Sequence, residues 1–172
     1  MANESLKRTP TSTGNRKVWT WGGWVKRNKV ETLQYIFNRE FVSSANSELY
    51  FTTSNSIEVT DYASGYNIRL ITTQKFRDTS SWYHILLSID TTSSTASDRV
   101  KLYVNGDRIT DFGTETYPSI NLETQLNTTE SHEFSDSAGA YDIFAELTDV
   151  FLVDGQALTP DVFGFYKDGD GY

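Results

Sequence analysis

Short runs of alternating apolar and polar residues, separated by turn residues, fill most of the chain. Half-buried strands alternate in this way because successive side chains point to opposite faces of a sheet. The runs that predict strands are residues 18–27, 33–39, 48–53, 56–62, 66–73, 82–90, 98–105, 108–111 and 143–154. Short strands at this spacing predict an all-β fold, a two-sheet antiparallel jelly-roll sandwich.

The clearest hairpin lies in the middle of the chain. Two apolar runs, 82–90 and 98–105, flank a Thr/Ser turn, and Asn105-Gly106 predicts a tight turn into a further short strand. The pair Gly22-Gly23 predicts a bulge or close packing inside a strand. Residues 113–131 have no period and read as a loop, whereas Thr159 and Pro160 predict one helical turn.

Length and composition indicate a single domain. The chain has 172 residues and no cysteine, so disulfides and thiolate metal sites are excluded. We divide it into an N-terminal arm or anchoring segment (1–16), a jelly-roll sandwich (17–166) and a short acidic tail (167–172).

The charge distribution is uneven. The formal net charge is −8, which disfavours nucleic acid as a partner. No apolar run approaches the ~20 residues that span a bilayer, and the first ten residues lack the apolar segment of a signal peptide. The N-terminal segment is basic, and we expect it to anchor on an acidic surface through Lys7, Arg8, Arg16 and Lys17.

Three motifs carry a family resemblance. They are Trp82-Tyr83-His84-Ile85, Leu102-Tyr103-Val104-Asn105-Gly106 and Asp154-Gly155-Gln156-Ala157-Leu158-Thr159-Pro160. Their order and spacing resemble the concanavalin A-like (laminin-G-like) jelly-roll superfamily. Residues 6–27, 70–82 and 151–160 look more narrowly like jelly-roll modules of cyanophage structural proteins.

This resemblance implies a role on a virus particle. We expect a non-enzymatic protein on the virion surface of a tailed phage, made in the host cytoplasm, as capsid decoration (cement) or a tail accessory. Its expected partners are major capsid or tail proteins and further copies of itself. The alternative is a glycan-binding receptor-recognition module of a tail or fibre, and the remote alternative is a glucanase-like hydrolase.

The sequence contains no recognisable catalytic motif. Glucanases of this superfamily carry Glu-x-Asp-x-Glu or Glu-x-Asp-x-x-Glu on one strand, and neither occurs here. Of the two histidines, His84 is predicted to pack within a strand and His132 to lie at a solvated loop end. We therefore predict no catalytic residue and no cofactor.

Two weaker sites remain as hypotheses. Trp19, Tyr62 and Tyr66 are candidates for stacking on a sugar ring, which needs an exposed aromatic beside polar groups. The resemblance also raises calcium at a rim that could gather Asn105, Asp149 and Asp154, whereas Asp168 and Asp170 are expected to belong to a frayed tail.

Overall fold

The computed structural model describes residues 6–42, 45–134 and 143–163. The strands are β1 (Leu6–Arg8), β2 (Val18–Arg27), β3 (Gln34–Val42), β4 (Ala45–Phe51), β5 (Ile57–Ala63), β6 (Tyr66–Thr72), β7 (Tyr83–Asp90), β8 (Val100–Val104), β9 (Asp107–Arg108), β10 (Phe112–Thr116), β11 (His132–Phe134) and β12 (Ala145–Asp154). Two short 3-10 helices span Ala96–Asp98 and Pro160–Phe163. The second of these is the helical turn that Thr159 and Pro160 predicted.

The strands form two antiparallel sheets. The seven-stranded sheet has the order β1-β11-β3-β4-β5-β6-β10, and the five-stranded sheet has the order β12-β2-β7-β8-β9. The sheets pack face to face, so the predicted two-sheet sandwich is confirmed. Within the described residues, no helix is both long and apolar enough to cross a membrane.

Aromatic rings join the two sheets. Trp21 of β2 is fully buried and stacks on Phe37 of β3, with ring centroids 5.6 Å apart. Phe134 of β11 lies against both rings, at 6.3 Å from Trp21 and 5.3 Å from Phe37. Large aromatic side chains contribute heavily to a core because each removes much apolar surface from water. The residues of β2 that lie on the same side as Trp21 therefore face the core.

The Gly22-Gly23 pair permits close packing, as predicted. A Cβ atom on Gly22 would lie 2.4 Å from Cζ of Phe151, and one on Gly23 would lie 2.6 Å from Cγ1 of Val150. Both contacts are with β12, whose register against β2 shifts between Thr148 and Phe151. The irregularity is thus in the pairing of β12, and the glycines make room for its side chains.

The edge of the seven-stranded sheet departs from the prediction. Residues 6–8 of the expected arm form β1, which pairs with β11, and β11 pairs in turn with β3. His132 is 5% exposed rather than solvated, and its Nε2 accepts a hydrogen bond from the backbone N–H of Asn127 at 2.9 Å. The prediction for His132 was wrong because β1 and β3 flank its strand on both sides. The expected loop 113–131 also begins within a strand, β10.

Candidate functional site

Alternation along β3, β4, β5 and β6 places polar and tyrosine side chains on the outer face of the seven-stranded sheet. The apolar residues between them, such as Leu49, Val59 and Leu70, are buried in the core. Cross-strand pairing orders the outward residues into three rows. The first row holds Tyr35, Tyr50, Glu58 and Ile71, the second Asn38, Glu48, Thr60 and Arg69, and the third Asn46, Tyr62 and Tyr66. We call this surface the tyrosine face.

A bulge brings together the two tyrosines that the sequence singled out. Asp61 pairs with Ile68 but Tyr62 pairs with Tyr66, so β6 carries one extra residue at this point. Ile68 points into the core, and strict alternation would send Tyr66 there too. The bulge instead places the Tyr66 ring beside that of Tyr62, with centroids 5.2 Å apart and an interplanar angle of 78°, and leaves Tyr66 48% exposed.

An ion pair connects the first row to this tyrosine pair. Nε of Arg69 donates to Oε1 of Glu58 at 2.9 Å, and the guanidinium carbon lies 4.7 Å from the Tyr66 ring centroid. The Tyr50 hydroxyl also hydrogen-bonds Glu58. Arg69 therefore covers one face of the Tyr66 ring, and the ion pair fixes its position.

Glu48 is the centre of the second row. Its carboxylate accepts hydrogen bonds from Asn46 Nδ2 at 2.6 Å and from the Thr60 hydroxyl at 3.3 Å, and it also bonds the Tyr35 hydroxyl. Since polar networks of this kind hold their members in fixed orientations, the face presents a preorganised set of donors and acceptors.

Burial controls the ionisation of this network. Desolvation raises the pKa of Glu48, and the nearby charge of Glu58 raises it further against the opposing effect of its hydrogen bonds. Burial and the proximity of Glu58 also raise the pKa of the Tyr50 hydroxyl far above its ordinary value. The hydrogen bond to Glu58 raises the pKa of Arg69, which stays cationic.

The third stacking candidate is not on this face. Trp19 is 2% exposed, and its indole nitrogen donates to the Thr124 hydroxyl at 3.0 Å inside the molecule. Its ring has no free face for a sugar. The prediction for Trp19 is corrected, because its position on β2 points inward, as that of Trp21 does.

The four predicted anchoring residues lie apart from the tyrosine pair. Lys7 forms an ion pair with Glu133 at 2.9 Å, and Arg8 is exposed on β1. Arg16 donates from Nε to the Thr124 carbonyl at 2.7 Å and pairs with Glu123 at 3.1 Å. The chain thus uses Arg16 for internal contacts, and Lys17 is partly buried beside it.

The candidate calcium residues are bound to different partners. Asp154 accepts hydrogen bonds from the backbone N–H of Asn15 at 2.7 Å and from Nδ2 of Asn127 at 2.6 Å. Asn105 instead accepts one from the backbone N–H of His84 at 2.9 Å. Strand pairing puts Asp154 and Asn105 at opposite ends of the five-stranded sheet. In the described part of the chain, no group of three His, Cys, Asp or Glu could hold a metal. Asp168 and Asp170 lie outside the described residues.

His84 packs as predicted. It is 3% exposed, its ring lies 5.0 Å from that of Trp24, and burial lowers its pKa. Sequence reasoning missed Glu48, Glu58 and Arg69, although alternation from the apolar positions 49, 57, 59, 68 and 70 assigns all three to the outer face. That signal was available, and it identifies the polar half of the site.

Comparison with known proteins agrees with this architecture. Residues 3–156 match a laminin-G-type family of the concanavalin A-like lectin/glucanases superfamily. A search of curated proteins finds no matching sequence.

Solved structures share the fold at low identity. A SAP-like pentraxin from Limulus polyphemus superposes with a TM-score of 0.60 at 16% identity, over 90% of this chain and 71% of the pentraxin. Domain 4 of an arabinanase from Geobacillus stearothermophilus, in complex with arabinotriose, gives 0.59 at 20% identity, over 88% and 66%.

A third structure is of similar size. The Ruminococcus gnavus sialidase module CBM40, bound to α2,3-sialyllactose, gives 0.57 at 12% identity, over 91% of this chain and 95% of the module. These likenesses concern the fold, because all three identities are low. The family match extends over most of the sequence, and the chain belongs to the concanavalin A-like lectin/glucanases superfamily.

Proposed function

We propose that the chain is a glycan-binding module and that the tyrosine face is its binding surface. The observation that carries this proposal is the exposed Tyr66 ring beside Tyr62, in contact with a network of fixed donors and acceptors. Sugar rings bind where an aromatic face meets polar groups that orient the hydroxyls. Two similar structures support the proposal, since they hold arabinotriose and sialyllactose.

Charge favours a neutral oligosaccharide over a sialylated one. The face carries Glu48 and Glu58 against Arg69, and Arg69 already forms an ion pair with Glu58. A ligand carboxylate would meet excess negative charge, whereas sugar hydroxyls could donate to Glu48 and accept from Asn46. The sugar would stack on the side of Tyr66 that Arg69 does not cover.

The site supports binding rather than hydrolysis. A glycosidase needs one carboxyl group free to transfer a proton and a second free to attack or to activate water. Here Glu58 has a side chain only 6% exposed and is held by Arg69, and Glu48 accepts several hydrogen bonds. We therefore propose that bound glycans leave the site uncleaved, which an assay for new reducing ends would check.

A glycan array followed by calorimetry tests the proposal. The wild-type chain should bind neutral oligosaccharides, Tyr66→Ala should weaken the best ligand by about tenfold or more, and Tyr66→Phe should keep most of the affinity. Phe144→Ala is the matched control because Phe144 is 44% exposed, which is close to the value for Tyr66. Absence of any array signal, or equal losses for Tyr66→Ala and Phe144→Ala, would reject it.

The location on a phage particle is a further part of the proposal and rests on the sequence resemblance. A module displayed on a virion could decorate the capsid or recognise the host, and only the second role needs the tyrosine face free. Electron microscopy of particles carrying the labelled protein distinguishes these roles. A Tyr66→Ala particle that assembles normally but adsorbs poorly to its host would favour recognition.

A further inference from the structure

The outer face of the five-stranded sheet carries a second surface, which we call the aromatic groove. It is an open groove of about 570 Å³. This volume suits a small ligand. The side chains that define it are Trp24, Trp82, His84, Asp149, Phe151 and Phe163.

The groove is built from neighbouring strands and the turn that follows them. Trp24 of β2 pairs with His84 of β7, and their rings are 5.0 Å apart. Phe151 of β12 stacks on Phe163 with centroids 4.2 Å apart and an interplanar angle of 22°. The ring of Phe151 lies over Gly22, where a Cβ atom would collide with it. The aromatic walls therefore depend on a glycine that leaves room for one of them.

Asp149 brings a carboxylate to this wall. It lies in the irregular part of β12, between Thr148 and Phe151, and its φ of 51° is in the left-handed region. The shift in register leaves both Thr148 and Asp149 exposed at the groove. Among the lining residues that the structure describes, Asp149 is the one acidic side chain.

The basic groups near Asp149 do not neutralise its carboxylate. Burial lowers the pKa of His84, which is therefore neutral at pH 7. Lys26, the next outward residue on β2, pairs with Glu146 at 3.6 Å. The groove thus combines aromatic faces with one negative charge, in a chain of net charge −8. Aromatic faces attract cations through the ring quadrupole, and a carboxylate adds to that attraction.

We propose that the aromatic groove binds a small organic cation of the quaternary ammonium class. A methylated ammonium presents a diffuse charge inside an apolar surface, which matches aromatic walls better than a strongly hydrated metal ion does. This site is on the sheet opposite the tyrosine face, and it does not depend on glycan binding there.

Choline and its neutral isostere 3,3-dimethyl-1-butanol test the proposal directly, because they differ in charge but hardly in shape. The readout is the set of indole N–H signals in ¹⁵N-labelled protein, to which the chain contributes four tryptophans. Choline should shift the signals of Trp24 and Trp82 but not those of the buried Trp19 and Trp21. The neutral isostere should bind about tenfold more weakly or not at all.

Variants separate the charge from the fold. Asp149→Asn should weaken choline about tenfold. Asparagine tolerates a left-handed φ, so the backbone should be preserved. Glu115→Gln on β10 makes the same change in net charge and should leave choline affinity unchanged. Equal binding of choline and its isostere, no shift with either, or equal effects of the two variants would overturn the proposal.

Discussion

The outer faces of the two sheets are built on the same alternation but differ in chemistry. On the tyrosine face, carboxylates, an arginine and hydroxyls satisfy one another, and the tyrosines lie among them. In the aromatic groove, rings pack on rings and Asp149 is the charged group at the wall. The two surfaces differ enough in chemistry that we propose separate ligands for them, a glycan for the tyrosine face and an organic cation for the aromatic groove.

Removing Arg69 should have the largest effect on stability, and the damage should be confined to the tyrosine face. Arg69→Met removes the ionic partner of Glu58, whose side chain is only 6% exposed. We expect a loss of about 2 kcal/mol in the free energy of unfolding, below the cost of breaking a fully buried pair because Arg69 is partly exposed. Urea unfolding measures it.

The control for Arg69→Met is Lys101→Met. The Lys101–Asp98 pair is 4.0 Å long and lies between partly exposed side chains, so its removal should cost less than about 0.5 kcal/mol. Adding Glu58→Gln to Arg69→Met should recover part of the loss. Equal losses of unfolding free energy for Arg69→Met and Lys101→Met would show that the Arg69–Glu58 ion pair does not organise the tyrosine face.

Filling Gly22 should disturb the opposite surface. Gly22→Ala forces a Cβ atom to within 2.4 Å of the Phe151 ring, so the ring must move. We expect a cost of about 1–2 kcal/mol and weaker choline binding, with glycan binding unchanged. Gly65→Ala is the control, since a Cβ there meets nothing within 4 Å. Loss of glycan binding in Gly22→Ala would mean that the two faces are coupled.

The two faces should also respond oppositely to pH. Burial lowers the pKa of His84 from 6.5, so the unfolded chain binds this proton more readily. The stability that depends on neutral His84 is present above about pH 6.5 and is lost as pH falls. His84→Gln should flatten the decline in unfolding free energy between about pH 7 and pH 5. An unchanged decline would locate the acid sensitivity elsewhere.

Glu48 should give the smallest effect, with the opposite sign. Burial raises its pKa from 4.5, so the folded chain holds this proton more tightly. The resulting stability is present below about pH 4.5 and is lost as pH rises through the folded pKa. Glu48→Gln should therefore gain stability relative to the wild type at neutral pH and lose that gain in acid. A constant difference at every pH would contradict the assignment.

Sequence patterns predicted the centre of the sandwich better than its edges. The prediction for residues 18–27 coincides with β2, because a long strand with both neighbours carries a clear alternation. Strands β1 and β11 have three residues each and pair with each other across more than a hundred positions, as Leu6 does with Phe134. No local period reveals such a pair, so the buried His132 could not be anticipated.

The candidate sites divide in the same way. Alternation assigns Trp19 to the inward side and both Trp24 and Glu58 to the outward side. The sequence therefore contains the signal that excludes Trp19 as a surface residue and includes Trp24 and Glu58. The position of Tyr66 depends on a bulge, and that of Asp149 on a register shift with a left-handed φ. Both irregularities arise from pairing between strands, so alternation within a single strand does not predict them.

We propose that glycans bind at the tyrosine face and not in the aromatic groove. The most direct measurement titrates isotope-labelled protein with the best oligosaccharide from the array and follows tyrosine ring and tryptophan indole signals together. We expect the ring signals of Tyr62 and Tyr66 to move while the indole signals of Trp24 and Trp82 stay fixed. Movement of the indole signals with unchanged tyrosine ring signals would place the sugar in the aromatic groove and contradict this proposal.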